Sequence, residues 1–220
     1  MTTRLTLRSY LRERLENPTQ WSDATLNTWI NEAILDYSHY FPFVAVKSYT
    51  FIAASHSFTI SNMNPTPIRV LRVQYPYGEE PPRWLTPLPR TDPRFWDGAY
   101  YETVGEPPTD IYLGEEAQVG EVVEVTYTAI HPLPTSDADV LTTPDIHLEA
   151  LILFCIWKAY EEIAAAEEIN PTTSEFIISQ KGLNVIRTER VYRNKIWEFQ
   201  RSSSSRLAGF WRMDRADRIY

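Results

Sequence analysis

Cysteine is almost missing from this 220-residue chain: Cys155 is the single one, set inside the apolar run Ala150 to Trp157. A lone cysteine closes no intrachain disulfide, which excludes a disulfide-stapled secreted scaffold. Glycine is scarce too, with seven in all and none in a GxG cluster, so no phosphate-cradling loop, Walker motif or dinucleotide fingerprint is present. The nucleophile elbow of serine hydrolases is missing as well. Long hydrophobic runs are also lacking. The longest, Ala150 to Trp157, is eight residues, against the roughly 20 that span a bilayer. The amino-terminal stretch MTTRLTLRSYLRERLE has no apolar segment of signal-peptide length. These absences predict a protein made and used without export or membrane insertion. Proline is missing from the final 49 residues, although all sixteen lie between Pro18 and Pro171.

What is present is aromatic and acidic. Seven Trp, thirteen Tyr and nine Phe serve equally in cores and at interfaces, since Trp and Tyr bury a large ring while one polar atom stays hydrogen-bonded. The net charge of -8 is unevenly spread: residues 181–220 hold ten basic side chains against four acidic, whereas the first 180 hold eleven against twenty-five. An acidic body repels phosphate and makes a poor general nucleic-acid binder. It suits self-complementary packing or docking to another protein.

No repeat at solenoid or propeller periods is visible, and proline divides the chain. Leu7, Leu11 and Leu15 recur every four residues, which predicts a helix over 3–15. Ser22 is placed to cap a second helix, whose apolar stripe runs through Leu26, Trp29, Ile30, Ala33, Ile34, Tyr37 and Tyr40 to a stop at Phe41-Pro42. From Phe43 to about Ile130 the chain turns to β-branched and aromatic runs divided by turn signals. They predict six strands, at 47–52, 57–60, 68–73, 100–104, 110–113 and 122–127, in a compact antiparallel sandwich or barrel. Thr143 and Pro144 then suit the start of a third helix over about 144–167, apolar nearly all round and therefore central. A fourth helix is expected to about Gln200, with the stripe Ile178, Val185, Tyr192, Ile196 and Phe199, followed by a serine joint at Ser202–Ser205. The expected fold class is α+β. A helical bundle (1–42 with 143–201) carries an inserted β domain with its connecting loop (43–142), and an extended carboxyl-terminal tail (202–220) follows.

Candidate chemistry is thin. His131, Asp137, Asp139, Asp145 and His147 cluster in sequence, and carboxylates with imidazole can bind a divalent cation. Neither HExxH, EF-hand nor CxxC spacing accompanies them, so turn formation by Asp137 and Asp139 and a helix-start charge at Asp145 account for them better. Cys155 reads as a small buried hydrophobe. Glu161-Glu162 and Glu167-Glu168 are adjacent pairs, which do not share a helix face. No catalytic residue, metal ligand or cofactor is assigned. Trp84, Phe95 and Trp96, with Arg83, Arg90 and Arg94 interleaved, read either as a loop pinned on the sheet or a neighbouring subunit or as a nucleic-acid stacking platform.

The end of the chain carries the sharpest expectation. Phe210, Trp211, Met213, Ile219 and Tyr220 are apolar anchors, and Arg206, Arg212, Arg215 and Arg218 surround them. Trp, Tyr and Arg dominate binding hot spots. This pattern predicts a partner-binding segment, with folding back onto the body as the alternative.

The order helical hairpin, β insertion, buried helix, long helix, tail resembles the head-tail connector (adaptor) proteins of tailed bacteriophages. WSDATLNTWINEAILDYSHYFP (Trp21 to Pro42) is similar to their aromatic-rich early helix. So is VEVTYTAIHPLPTSDADVLTTPDIHLEALILFCIWKAYEEIA (Val123 to Ala164) to their strand ending in tyrosine, polar loop and Pro-Asp-capped apolar helix. The long helix with its extended terminus is the third likeness. The resemblance implies a structural protein of the virion neck, made in the host cytoplasm, and not an enzyme. It implies a homo-oligomeric ring, usually of twelve, beneath the portal protein and above a downstream tail or neck protein. DNA would pass through the ring unread, and the carboxyl-terminal tail would grip the portal. A competing class is a β-sandwich module that binds carbohydrate or a receptor through Trp84, Trp96 and Tyr100. A hydrolase with unrecognised acids is a third.

Overall fold

The computed structural model describes residues 2–15, 18–169 and 175–216, the backbone alone at 18, 175, 176, 178 and 203–216. The chain divides into two compact units, Met1–Tyr40 with Pro132–Tyr220, and Phe41–His131.

In the first unit, α1 (Arg4–Arg14) is capped by Thr3, whose hydroxyl accepts from the Thr6 amide. Leu7, Leu11 and Leu15 are buried as their spacing requires. Ser22 caps α2 (Asp23–Tyr40), accepting from the Thr25 amide at 3.1 Å. The α2 stripe is buried from Leu26 through Tyr37 and reaches the surface at Tyr40. α3 (Leu148–Ile169) buries Ala150, Leu151, Ile152, Phe154 and Cys155 and packs against α1, α2 and the last helix, α4 (Glu175–Ala216). Its start differs from the expectation at Thr143. A 3-10 turn, Asp145–His147, precedes the helix, and the Thr143 hydroxyl is buried without a partner instead of capping it.

Residues 132–142, grouped with the β segment by sequence, are stitched to α1: the Arg4 amide donates to Asp139 O and the Leu141 amide to Thr2 O. One further expectation, the serine joint, is corrected here. Ser202–Ser205 form no joint, because α4 runs through them to Ala216. Serine only mildly disfavours helix, and Ser202 Oγ donates back to Phe199 O at 2.9 Å, so its hydroxyl is satisfied within the helix. At about 1.5 Å per residue the 42-residue α4 is roughly 63 Å long, nearly twice the 22-residue α3.

The second unit is a sandwich, not a barrel. One sheet has the order β1 (Phe43–Thr50), β7 (Val122–Ala129), β3 (Pro67–Gln74). The other has β2 (Ser55–Thr59), β6 (Asp110–Ala117), β5 (Tyr100–Val104), β4 (Thr86–Pro87). β7 alternates strictly: Val123, Val125, Tyr127 and Ala129 face the core and their neighbours do not. Phe51, Val73 and Tyr127 share one core with Phe58, Tyr101, Ile111 and Leu113 from the facing sheet. β4 is the strand that sequence misses. It is two residues of a proline-rich stretch, and it pairs parallel to β5, so this sheet is mixed, not wholly antiparallel.

Candidate docking surfaces

The side of α4 that faces α3 is a closed aromatic joint. Tyr192 and Ile196 are buried, Trp157 stacks on the Tyr192 ring at 6.2 Å, and Phe154 meets it edge-on at 5.4 Å. The Tyr192 hydroxyl donates to the Asp36 carboxylate on α2, and burial with this contact raises the phenol pKa. Ile178, expected on the same stripe, lies outside the described side chains.

The opposite side of the same helix is open. Leu183, Ile186 and Trp197 are exposed at 49%, 55% and 58%, values too high for a core stripe. At 100° per residue they share a face with Arg187, Arg190 and Arg201, and the Arg201 guanidinium sits 5.3 Å over the Trp197 ring. Among the described side chains the helix's acids serve elsewhere, Glu189 binding Arg193 at 2.7 Å and Glu198 binding Lys195 at 3.3 Å. Among the described residues Arg187 and Arg190 have no ion pair. The signal was present in the sequence as a second apolar set on α4, which a single-stripe reading leaves unassigned.

A second surface lies where α1 meets the start of α3. A cleft of about 460 Å³ has Leu148 and Ile152 as buried floor, with Tyr10 and Ile146 exposed at 46% and 73%. Glu13, Asp145 and Glu149 line it, and Arg14, also there, is tied to Glu149 at 2.7 Å. The Thr2 hydroxyl donates to Asp145 at 3.0 Å, and this contact, with the charge of the amino terminus, holds that carboxyl below its ordinary pKa.

The clustered acids and histidines serve separate local tasks. Asp137 accepts from Arg4 and from the buried Arg8, whose Nη2 donates at 2.7 Å, and the Arg8 hydrogen bond lowers its pKa. Asp139 closes its own loop by accepting from the amides of Thr135 and Ser136. His147 shares a hydrogen bond with the Tyr37 hydroxyl and stacks on Phe199 at 4.2 Å, while His131 bonds to Phe41 O in the other unit. Among the described residues no three His, Cys, Asp or Glu side chains converge as a metal cage. Cys155 is buried, and burial raises its thiol pKa, which suppresses the reactive thiolate.

The Trp84–Trp96 segment is pinned onto its own sheets. Phe95 is fully buried in a 3-10 turn capped by Asp92. Gly114 on β6 permits this close approach, since a Cβ there would stand 2.1 Å from Phe95 O. Trp84 sits under Arg72 of β3, whereas Trp96 stands edge-on to His56 of β2, in the other sheet. Of the partner-binding residues predicted at the end of the chain, Arg206, Phe210, Trp211, Arg212, Met213 and Arg215 fall on the last turns of α4, and their side chains lie outside the described set. Arg218, Ile219 and Tyr220 lie outside the described residues altogether.

Residues 2–196 match the family model described as SU10 adaptor protein. The chain belongs to the SU10 adaptor protein family. That membership bears out the likeness to phage head-tail adaptors, and the family is one of structural phage adaptors, not a class of enzymes. A comparison with curated proteins finds no match. The family match spans both units and ends one residue before Trp197, so the far end of α4 lies beyond it. No helix among the described residues of the adaptor is long and apolar enough to cross a membrane.

Proposed function

We propose that this adaptor is a non-enzymatic ring component of the virion neck, made in the host cytoplasm and assembled, twelve copies to the ring, beneath the portal protein. It links the capsid to a downstream tail or neck protein and lets DNA pass through its channel. Family membership over residues 2–196 is the observation that carries the reading. The acidic balance of the first 180 residues supports it, since a negative channel wall repels the phosphates that must slide past.

Residues 206–220 are the portal-binding segment in this reading, with Arg206, Phe210, Trp211, Arg212, Met213, Arg215, Arg218, Ile219 and Tyr220 as contacts. Tyr192 and Ile196, which anchor α4 in its own unit, precede this segment. Deleting residues 206–220 should therefore leave a folded protein that no longer binds isolated portal rings, giving filled heads without tails. Trp211→Ala alone should weaken portal binding by about 2 kcal/mol or more, in the hot-spot range. Undiminished portal binding by the truncated chain, measured by calorimetry, would remove the docking role. Unfolding of that chain would assign the segment to its own core.

A further inference from the structure

We infer that neighbouring copies join head to tail, the outer face of α4 in one copy seated in the α1/α3 cleft of the next. This rests on the ring reading and specifies its interface.

Three observations converge on that pairing. The first is charge. The α4 face presents Arg187 and Arg190 beside Leu183, Ile186 and Trp197, while Glu189 and Glu198 of the same helix bind Arg193 and Lys195. The cleft presents Glu13 beside an apolar floor, with Glu149 tied to Arg14 and Asp145 to Thr2 at its rim. Complementary potentials fix partner and register, while two α4 faces laid together would oppose arginine to arginine. The second is shape. Leu183, Ile186 and Trp197 stand out half-exposed on the ridge of a helix, and the cleft is a hollow of about 460 Å³ that can take such side chains.

The third observation is direction. Leu183, Ile186 and Trp197 lie across the helix from Tyr192 and Ile196, which hold α4 against α3. The exposed face therefore points away from the body that carries the cleft. The two patches differ, so the contact is heterologous. Heterologous contacts propagate and close into rings when the rotation allows, whereas a contact between like patches stops at a dimer.

Cysteine pairing tests the assignment, because the native Cys155 is buried and does not compete. Ile146 and Ile186 are both exposed, so Ile146→Cys and Ile186→Cys leave the core intact. Under mild oxidation of the full-length protein, free and bound to portal rings, the double variant should give a ladder of dimers, trimers and higher species. Each single variant should stay monomeric alone, and an equimolar mixture of the two should give a dimer and nothing beyond it. Adding Arg187→Glu and Arg190→Glu to the double variant should cut ladder yield at least tenfold.

Self-linking by Ile186→Cys alone, as efficient as the mixed reaction, would replace this interface with a contact between like faces. A ladder that forms only after residues 206–220 are deleted would mean the chain's own end fills the cleft, and it too would overturn the inference. Rings on the portal that never cross-link would sink the interface and leave the adaptor function standing. A full ladder from a protein that never binds portal would do the reverse.

Discussion

The two units dispose of their large side chains in different ways. In the β unit Phe51, Phe58, Phe95, Tyr101 and Tyr127 all point inward, and the half-exposed Trp84 and Trp96 are each held by a neighbour, Arg72 or His56. Its edges are guarded as well. β2 and β3 carry register shifts, β4 is two residues long, and β1 bears Lys47. Val44 and Val46 on β1, Ile68 and Leu71 on β3, and Ile52, Tyr77 and Val119 at turns are exposed as well, as part of every folded surface is apolar. The helical unit instead sends out a helix much longer than the one it packs on, apolar on two faces, and covers only one of them. One unit turns most of its large rings inward and leaves mainly aliphatic side chains outside. The other holds a surplus concentrated on one helix and mixed with arginine, which is the composition of a docking site.

Removing a core ring from each unit should produce the largest effects and test whether their interiors are equally tight. Phe154→Ala in the helical unit and Phe51→Ala in the β unit should each cost about 3 to 5 kcal/mol, the range for buried Phe truncation. Urea unfolding followed by circular dichroism measures both. A cost below about 1 kcal/mol at Phe154 would mean the aromatic joint with Trp157 and Tyr192 is loosely packed.

A smaller effect is expected from pH, with one buried histidine in each unit. Desolvation lowers the pKa of His147, which faces Tyr37 and Phe199, and of His131, which faces Phe41 O and Phe43. An unfolded histidine titrates near about 6.5. As pH falls through that value the unfolded chain takes up protons that the folded one resists. The stabilisation is therefore complete above about 6.5 and is lost as pH drops toward the folded pKa. Asp137, Asp139 and Asp145 have lowered pKa values, so their own windows lie below the ordinary carboxylate range and do not overlap. The urea midpoint should fall between pH 7.5 and 5.5, and His147→Gln should flatten the part that belongs to the helical unit. An unaltered slope in that variant would show that His147 is not the group taking up the proton.

Local pattern made much of this architecture legible. Leucines every four residues, a serine before an apolar stripe, and β-branched runs between turns each act over a few residues, so α1, α2 and six of the seven strands can be read directly. What escaped is set at long range. Arg8, beside Leu7 and Leu11, reads as a solvated helix charge. It is buried because Asp137, 129 residues away, accepts its guanidinium. β4 pairs too briefly to leave a periodic trace. The serine run reads as a linker by composition, yet helix propagation from the preceding turns carries α4 through it. The outer face of α4 is the instructive omission. Ile186 and Trp197 were visible, but only packing shows that the Tyr192 and Ile196 side is already satisfied, leaving theirs as surplus.

Trp197 gives the smallest expected stability change and the sharpest division between the two kinds of surface. Its ring is exposed at 58%, and its one described partner is Arg201, one turn along the same helix. An exposed cation-π contact is worth about 0.5 to 1 kcal/mol. Alanine regains part of that through its better helix propensity. Trp197→Ala should therefore shift the unfolding free energy by no more than about 0.5 kcal/mol, as surface substitutions do. The same substitution should lower the yield of the Ile146–Ile186 cross-linked ladder several-fold, because the ring it removes is the largest apolar group on the face. Phe154→Ala would show the opposite pattern, a large loss of stability with cross-linking preserved wherever the chain remains folded. If Trp197→Ala instead costs as much stability as a core ring, the outer face of α4 is covered by its own chain, and the contrast between the two units disappears.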